Sequence, residues 1–285
     1  MRLLSFVTRN GQSSYGAQIS DSQIANLGAV LGHRFPDLKS LLAAPNLNEA
    51  KAALDTAPLL PVHEVHLLPV IPNPNKIICV GLNYETHRLE TGRPVEKHPS
   101  IFTRFASSQC AAGDPIIRPR VSTALDYEGE LALVIGKPGR YIKKADAFNH
   151  VAGYACYNDG SIRDWQRHSH QFTPGKNFVA TGAFGPWMVT ADAVGDIAAQ
   201  TLTTRLNGEI MQQAKISDMI FSIGDIIEYV SAFCPLEPGD VIATGTPGGV
   251  GFKRDPQVYM KPGDWVEVDI TEVGVLRNPI VDEAA

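Results

Sequence analysis

Long apolar runs, a surplus of positive charge and any recognisable cysteine spacing are what this sequence lacks. No stretch reaches the ~20 apolar residues needed to span a bilayer, and the opening Met1–Val7 segment, which starts like a signal peptide, is cut short by Arg9 and Asn10. Lys and Arg number 25 against 30 Asp and Glu, a net charge of −5 with no basic block. That argues against nucleic acid as a partner. Cys79, Cys110, Cys156 and Cys234 lie 31, 46 and 78 residues apart. Such gaps fit neither a Cys-x-x-Cys zinc module nor a disulfide framework, so they read as reduced, mostly buried thiols of a cytoplasmic protein. Internal repeats and low-complexity tracts are missing too.

What is present suits a fold of many short strands. The 285 residues are 44% apolar, enough for a substantial core, and include 25 glycines and 20 prolines. Residues 1–71 differ from the rest. They offer a strand at Leu3–Val7, a helical middle at Asp37–Asp55 and a proline-rich end, Pro61–Pro69 followed by Pro72-Asn-Pro74, that reads as an extended linker. This divides the chain into a small N-terminal α/β domain (1–71) and a larger domain (72–285). The larger part predicts strands at Lys76–Val80, Glu130–Ile135, His150–Tyr157, Trp187–Thr190, Thr201–Leu206, Asp240–Thr244 and Trp265–Thr271. It also predicts a helix over Ser222–Phe233 with Ile223, Ile226, Ile227, Val230 and Phe233 on one face. Asn83–Glu96 fits either a helix or a mobile loop. The class is α+β, β-dominated, without the alternating β-α order of a doubly wound sheet.

Chemistry concentrates in Asp126-Tyr-Glu-Gly-Glu130. Glu128 and Glu130 are two residues apart, so on a strand both carboxylates leave the same face, where they repel unless a cation lies between them. A hard divalent ion such as Mg²⁺ or Mn²⁺ would meet that need, while a solvated strand face would carry the same pair without one. Asp159 follows an apolar strand and precedes a turn, a place for a metal ligand or a helix cap, with Arg163 and Gln166 nearby as anion-binding and hydrogen-bonding groups. His87 and Glu90 have the i,i+3 spacing of one helical face, which suits a proton-transferring pair as well as an ordinary surface contact.

In order, Gly81-Leu-Asn-Tyr84, Asp126-Tyr-Glu-Gly-Glu130, Asn158-Asp-Gly-Ser-Ile-Arg-Asp-Trp165, Gly175-Lys176 and Thr244-Gly-Thr-Pro-Gly-Gly-Val-Gly251 resemble the fumarylacetoacetate hydrolase superfamily over roughly residues 72–280. The resemblance implies a rolled mixed β-sheet flanked by short helices, preceded here by the small domain common in bacterial members. It makes Glu128, Glu130 and Asp159 ligands for Mg²⁺ or Mn²⁺, and Lys176 the lysine that reaches the bound substrate. His87 and Glu90 become a catalytic dyad on a mobile lid. Asn83, Tyr84, Arg104, Arg163, Gln166 and Thr246 become candidate substrate contacts. Arg104 stands where many members carry a lysine, and Asn-Asp-Gly-Ser replaces the commoner Asn-Asp-Val-Ser or Asn-Asp-Met-Thr. His168 and His170 are not needed by a site of three carboxylates and read as polar groups at a pocket mouth or an interface.

The implied activity is metal-dependent hydrolysis of a C–C bond in a 1,3-diketo acid, an acylpyruvate or a fumarylpyruvate-like compound, with His87 activating water and pyruvate leaving with a carboxylic acid. The alternative is decarboxylation of a 2-oxo acid such as oxaloacetate, or isomerisation or hydration of an unsaturated 2-hydroxy acid, on the same site. A silent metabolite-binding member would require the acidic triad to be structural. A small-molecule 2-oxo acid partner, a homodimer, and no membrane or nucleic-acid partner complete the expectation.

Overall fold

The strand Gly129–Ile135 is buried along its whole length, and its alternation explains how the molecule is layered. Leu131, Leu133 and Ile135 point into one core, while Ala132 and Val134 point into another. Each buried Leu, Val or Ile contributes about 1.5–3 kcal/mol, so a strand apolar on both faces is stable only between two layers. The computed structural model describes residues 1–284. It is an α+β, β-dominated protein built on a mixed sheet that runs, in order, Leu59–Pro61, Gln23–Ala25, Ser13–Ser20, Arg2–Thr8, Gly182–Thr190, Val151–Asp159, Gly129–Ile135, Val241–Ala243, Ile77–Gly81 and Ser100–Arg104. A second sheet, Glu209–Lys215, Thr201–Leu206, Trp265–Ile270, Gly274–Asp282 and Ile116–Arg118, packs on the Leu131 side, contributing Leu202, Val268 and Leu276 to that core.

The Ala132 side is covered by the N-terminal residues. Leu3, Tyr15, Leu38, Leu41 and Ala50 share a core with Ile77, Ala132, Val134 and Ala155. Arg2 and Leu3 pair antiparallel with Val189 and Met188, so residues 1–71 continue the sheet of the larger part. The proline-rich stretch is not a free linker. Leu59–Pro61 forms an edge strand against Gln23–Ala25, where a proline costs no ladder hydrogen bond, and Val65–Leu67 pairs with Arg2–Thr8.

The helical middle is two short helices, Leu38–Leu42 and Asn48–Ala53, the first started by a capping box between Asp37 and Ser40. Helix Ile223–Phe233 begins at a Ser222–Asp225 capping box and buries Ile223, Ile226, Ile227 and Val230. Phe233 is 55% exposed and does not belong to that face. All four cysteines are free, and Cys79, Cys110 and Cys156 are buried. No described helix is long and apolar enough to cross a membrane.

Candidate active site

Three carboxylates converge where the N-terminal cover ends. Glu128 and Glu130 have the parity of Ala132 and Val134 and therefore share their face. Asp159 ends the neighbouring strand, where its amide donates to Glu128 O at 2.8 Å. One oxygen from each of the three side chains lies within 4.8 Å of the others, and all three residues are buried. The intervening residue must be glycine. A Cβ at Gly129, on the opposite face, would sit 2.0 Å from Thr204 Oγ1 of the second sheet. The motif thus combines two pocket-facing carboxylates with one close sheet–sheet contact.

Buried carboxylates need compensation. Lys176 Nζ, itself buried, lies 2.6 Å from Glu128 Oε2 and 2.5 Å from Asp159 Oδ2. Arg163 reaches Glu128 Oε1 at 2.7 Å and Asp126 Oδ2 at 2.8 Å. Burial alone would raise the Glu128 carboxyl, but Lys176 and Arg163 outweigh it and hold it down at about 2. Glu130 goes the other way. Burial, then the charges of Asp159 and Glu128, push its carboxyl well above the ordinary value, because its one direct compensation is the Gly245 N–H at 2.9 Å. A cluster of three oxygen donors with one carboxylate left under-compensated fits a hard divalent cation, and thiol or imidazole donors are not part of it.

Glu128 and Glu130 lie on the wall of a cavity of about 850 Å³ that also presents His87, Arg163, Gln166, Lys176 and Thr246. His87 is carried by helix Glu85–Thr91, which closes on Gly92 in the left-handed conformation (φ 69°). His87 Nδ1 lies 2.6 Å from Glu90 Oε1, leaving Nε2 as the other ring nitrogen. Glu90 Oε2 accepts from Gly249 N at 2.8 Å, and Thr86 Oγ1 accepts from Gly248 N at 3.0 Å, so the helix rests on the glycine-rich turn. A Cβ on Gly248 would come within 2.9–3.1 Å of Thr86 atoms, so glycine permits this approach.

Other candidate contacts lie elsewhere. Asn83 is fully buried, and its amide is spent on the backbone: Nδ2 donates to Phe221 O and Thr244 O, and Oδ1 accepts from Phe221 N. Tyr84, at the N-cap of the helix, is buried, with no hydrogen-bond partner for its hydroxyl. Arg104 is not on the cavity wall. It stands behind the cluster, donating to Asp159 Oδ1 at 2.6 Å, Gly160 O and Thr181 Oγ1. Thr246 does line the cavity, but its hydroxyl donates to Gly129 O and accepts from Gln212 Nε2. The polar groups of Asn83, Arg104 and Thr246 are thus engaged within the protein, and only the Tyr84 hydroxyl is left without a partner. Gln166 lines the cavity and accepts from Arg163 Nη1 at 3.0 Å. His170 is on the wall, whereas His168 packs against Trp165.

Sequence reasoning missed Asp126, the first residue of its own motif. Its carboxylate accepts from Arg163 and from the amides of Gly251 and Phe252, tying the acidic strand to the turn that follows Thr246. It also missed Gln212, which accepts from Gly129 N and donates to Thr246 and Pro247.

Comparison with known proteins points to one family. A mitochondrial oxaloacetate tautomerase of Bos taurus is 45% identical over 238 residues, covering 82% of this chain and 76% of that protein. The oxaloacetate tautomerase YisK of Bacillus subtilis (strain 168) is 42% identical over 221 residues, 76% of this chain and 73% of that one. Among solved structures, a maleylpyruvate hydrolase from Sphingobium sp. SYK-6, in complex with manganese(II) ion and pyruvate, superposes with a TM-score of 0.82 at 30% identity over 100% of both chains. A fumarylacetoacetate hydrolase from Exiguobacterium antarcticum gives 0.85 at 34% identity, covering 99% of this chain and 100% of that one. The family described as fumarylacetoacetate (FAA) hydrolase, C-terminal, matches residues 76–281, the stretch that carries every carboxylate, the lysine and the His–Glu pair described above. With that match spanning the site and most of the chain, this protein is a member of the fumarylacetoacetate hydrolase family, whose enzymes use a divalent metal.

Proposed function

We propose that this chain interconverts the enol and keto forms of a small 2-oxo acid of the oxaloacetate type. The observation that carries the reading is His87, hydrogen-bonded to Glu90, on the wall of the same cavity as Lys176, Glu128 and Glu130. Glu90 fixes the orientation of the imidazole through Nδ1, leaving Nε2 to exchange a proton with C3 of the substrate. Arg163 and Gln166 would hold the carboxylate beside the 2-oxo group. Lys176, whose proton is held by Asp159 and Glu128 against the effect of burial, would place positive charge beside the 2-oxygen as charge develops there. One proton leaves the enol oxygen and one arrives at C3, with no C–C bond broken. A divalent ion, Mg²⁺ or Mn²⁺, held by Glu128, Glu130 and Asp159 would supply further positive charge that favours the enolate form. Relatives 42–45% identical that bear the tautomerase name support this choice over C–C hydrolysis.

Hydrolysis of an acylpyruvate is the second reading, favoured by a cavity of about 850 Å³, which is roomy for a four-carbon acid. In it the same His87 would deprotonate water. The deciding experiment follows the ultraviolet absorbance of enol-oxaloacetate and of simple acylpyruvates, with Mg²⁺, Mn²⁺ or EDTA, while pyruvate is assayed separately. Metal-dependent loss of the enol without pyruvate is the expected result. Pyruvate from acylpyruvates alone would replace the proposal with the hydrolase, and pyruvate from oxaloacetate would replace it with decarboxylation. The homodimer is proposed on the resemblance together with the exposed Phe105 and Val179, and sedimentation velocity tests it.

A further inference from the structure

The strand that leads out of the acidic motif outruns its neighbour on one edge. Gly129–Ile135 pairs with Val151–Asp159 from Gly129, opposite Asn158, to Ile135, opposite Val151. On the other edge the register with Val241–Ala243 stops at Ala132, opposite Ala243. Thr244 still reaches Leu131 O through its amide and its hydroxyl. Every second residue of a strand bonds to the same side, so the N–H and C=O of Gly129 are the next ladder positions. Two side chains fill them. Gly129 N donates to Gln212 Oε1 at 3.0 Å, and Thr246 Oγ1 donates to Gly129 O at 2.9 Å. Gln212 Nε2 closes the network on Thr246 Oγ1 and Pro247 O, both at 2.8 Å.

Gln212 belongs to the second sheet. It lies on the edge strand Glu209–Lys215, of which only Met211 and Gln212 are buried. A buried amide is tolerated when its hydrogen bonds are made, and those of Gln212 all go to the acidic motif and the turn beside it. Gly129 separates Glu128 from Glu130, and glycine pivots more freely than any other residue. Its N–H is part of the peptide that follows Glu128, and its C=O is part of the peptide that precedes Glu130. The two bonds therefore hold the two peptides to which the carboxylate-bearing residues are attached. Gln212 also holds the turn at Thr246 and Pro247, and the Gly245 N–H of that turn is the direct partner of Glu130 Oε2. We propose that Gln212 is a positioning residue for cation binding. With Thr246 it stands in for the missing strand and fixes Glu128-Gly-Glu130 so that both carboxylates converge with Asp159. This rests on the reading that the three carboxylates hold a divalent ion. A group that orients a ligand in this way contributes to affinity without touching the ion.

The test is calorimetric Mn²⁺ binding to the full-length protein, with the electron paramagnetic resonance spectrum of the bound ion and amide exchange at Gly129. Gln212→Met keeps the length of the side chain and loses the amide. It should bind Mn²⁺ about 10–100-fold more weakly, broaden the spectrum and speed exchange at Gly129. Leu206→Ala, a core residue of the same hairpin, should lower the melting temperature and leave affinity and spectrum as in the parent. Thr246→Val breaks the same network without altering the second sheet. It should also weaken binding, and Gln212→Met added to it should cost less than Gln212→Met alone. Parent-like Mn²⁺ affinity in Gln212→Met, or equal weakening by Leu206→Ala, overturns the proposal. If Gln212→Met does not fold, Thr246→Val decides, and parent-like affinity there overturns it. A parent protein that binds no Mn²⁺ rejects the cation reading instead. Exchange at Gly129 then decides the clamp by itself: faster exchange in Gln212→Met keeps it, and unchanged exchange removes it.

Discussion

Glu130 and Asp159 project from, and Glu128 directly precedes, strands paired on both sides in the middle of a sheet, whereas His87 and Glu90 ride a seven-residue helix that touches the body through a glycine turn. The floor is held by ladder hydrogen bonds, two apolar cores and three buried cations. The helix, which the proposed function makes a lid, is held by a few hydrogen bonds and exposes Leu89 and the segment after Gly92. Under the proposed function the difference has a use. A cation site needs donors that hold their positions without rearrangement, while proton transfer in a closed cavity needs a group that can withdraw to admit substrate and return. It also predicts that changes in the floor act on stability and metal binding, and changes in the lid act on turnover.

The largest effect is expected at Lys176. In Lys176→Met the carboxylates of Glu128 and Asp159 lose their shared partner, and the metal-free protein should be about 3–5 kcal/mol less stable by denaturant titration. An unchanged midpoint would mean that the floor does not depend on that cation. His87→Ala should leave the melting temperature alone and lower kcat by about 10²–10⁴. A variant that unfolds earlier instead would erase the contrast between lid and floor. Arg104→Gln removes the arginine behind Asp159, and divalent-metal affinity measured by calorimetry should fall roughly 10–100-fold, since a group that orients a ligand is lost.

The pH dependence comes from Glu130, whose carboxyl is raised in the folded protein. Folding then favours its protonated form, so its contribution is full below the ordinary value of 4.5 and is lost as pH rises through the higher folded value. Glu128, held at about 2, has the opposite sign. Its contribution is present above 4.5 and is lost only as pH falls toward 2. Above 4.5, therefore, the EDTA-treated protein should lose stability with rising pH, and the melting-temperature gain on adding Mg²⁺ should grow over the same range. A gain independent of pH would place the metal's effect outside Glu130. The smallest effect is expected for Thr86→Val, which removes the acceptor for Gly248 N and should loosen the lid by about 1 kcal/mol. Faster amide exchange confined to residues 85–91 would show it, and exchange spread into Gly129–Ile135 would show that lid and floor are not separate.

Much of the floor was legible because local rules write it. Two carboxylates at i,i+2 on a strand must share a face, and an all-apolar continuation must enter a core. The His87–Glu90 spacing on one helical face was legible for the same reason. Asn83, Tyr84, Arg104 and Thr246 were less so, because residues beside a motif serve a ligand or the backbone according to what lies across from them. For Asn83 that is Phe221 and Thr244, and for Arg104 it is Asp159 and Thr181. Pro61–Pro69 misled in a similar way. Proline excludes a central strand, but an edge strand accepts it, and which strand lies at the edge is not written in the segment itself.

The sequence by itself determined the family, the β-dominated class, the shared face of Glu128 and Glu130 and the pairing of His87 with Glu90, because each depends on backbone periods of two or of 3.6 and on motifs that are contiguous in the chain. The tertiary structure decided the rest. It made residues 1–71 the cover of one sheet face, put Lys176 between Glu128 and Asp159, withdrew Arg104 behind the cluster and gathered Arg163, Arg167 and Lys253 around Phe252. The side chains of the site that meet are 17 to 90 residues apart in the chain, apart from the neighbours Arg163, Arg167 and Lys253–Phe252, and the N-terminal cover comes from farther still. Their meeting depends on the order of strands in a sheet, which no local period encodes.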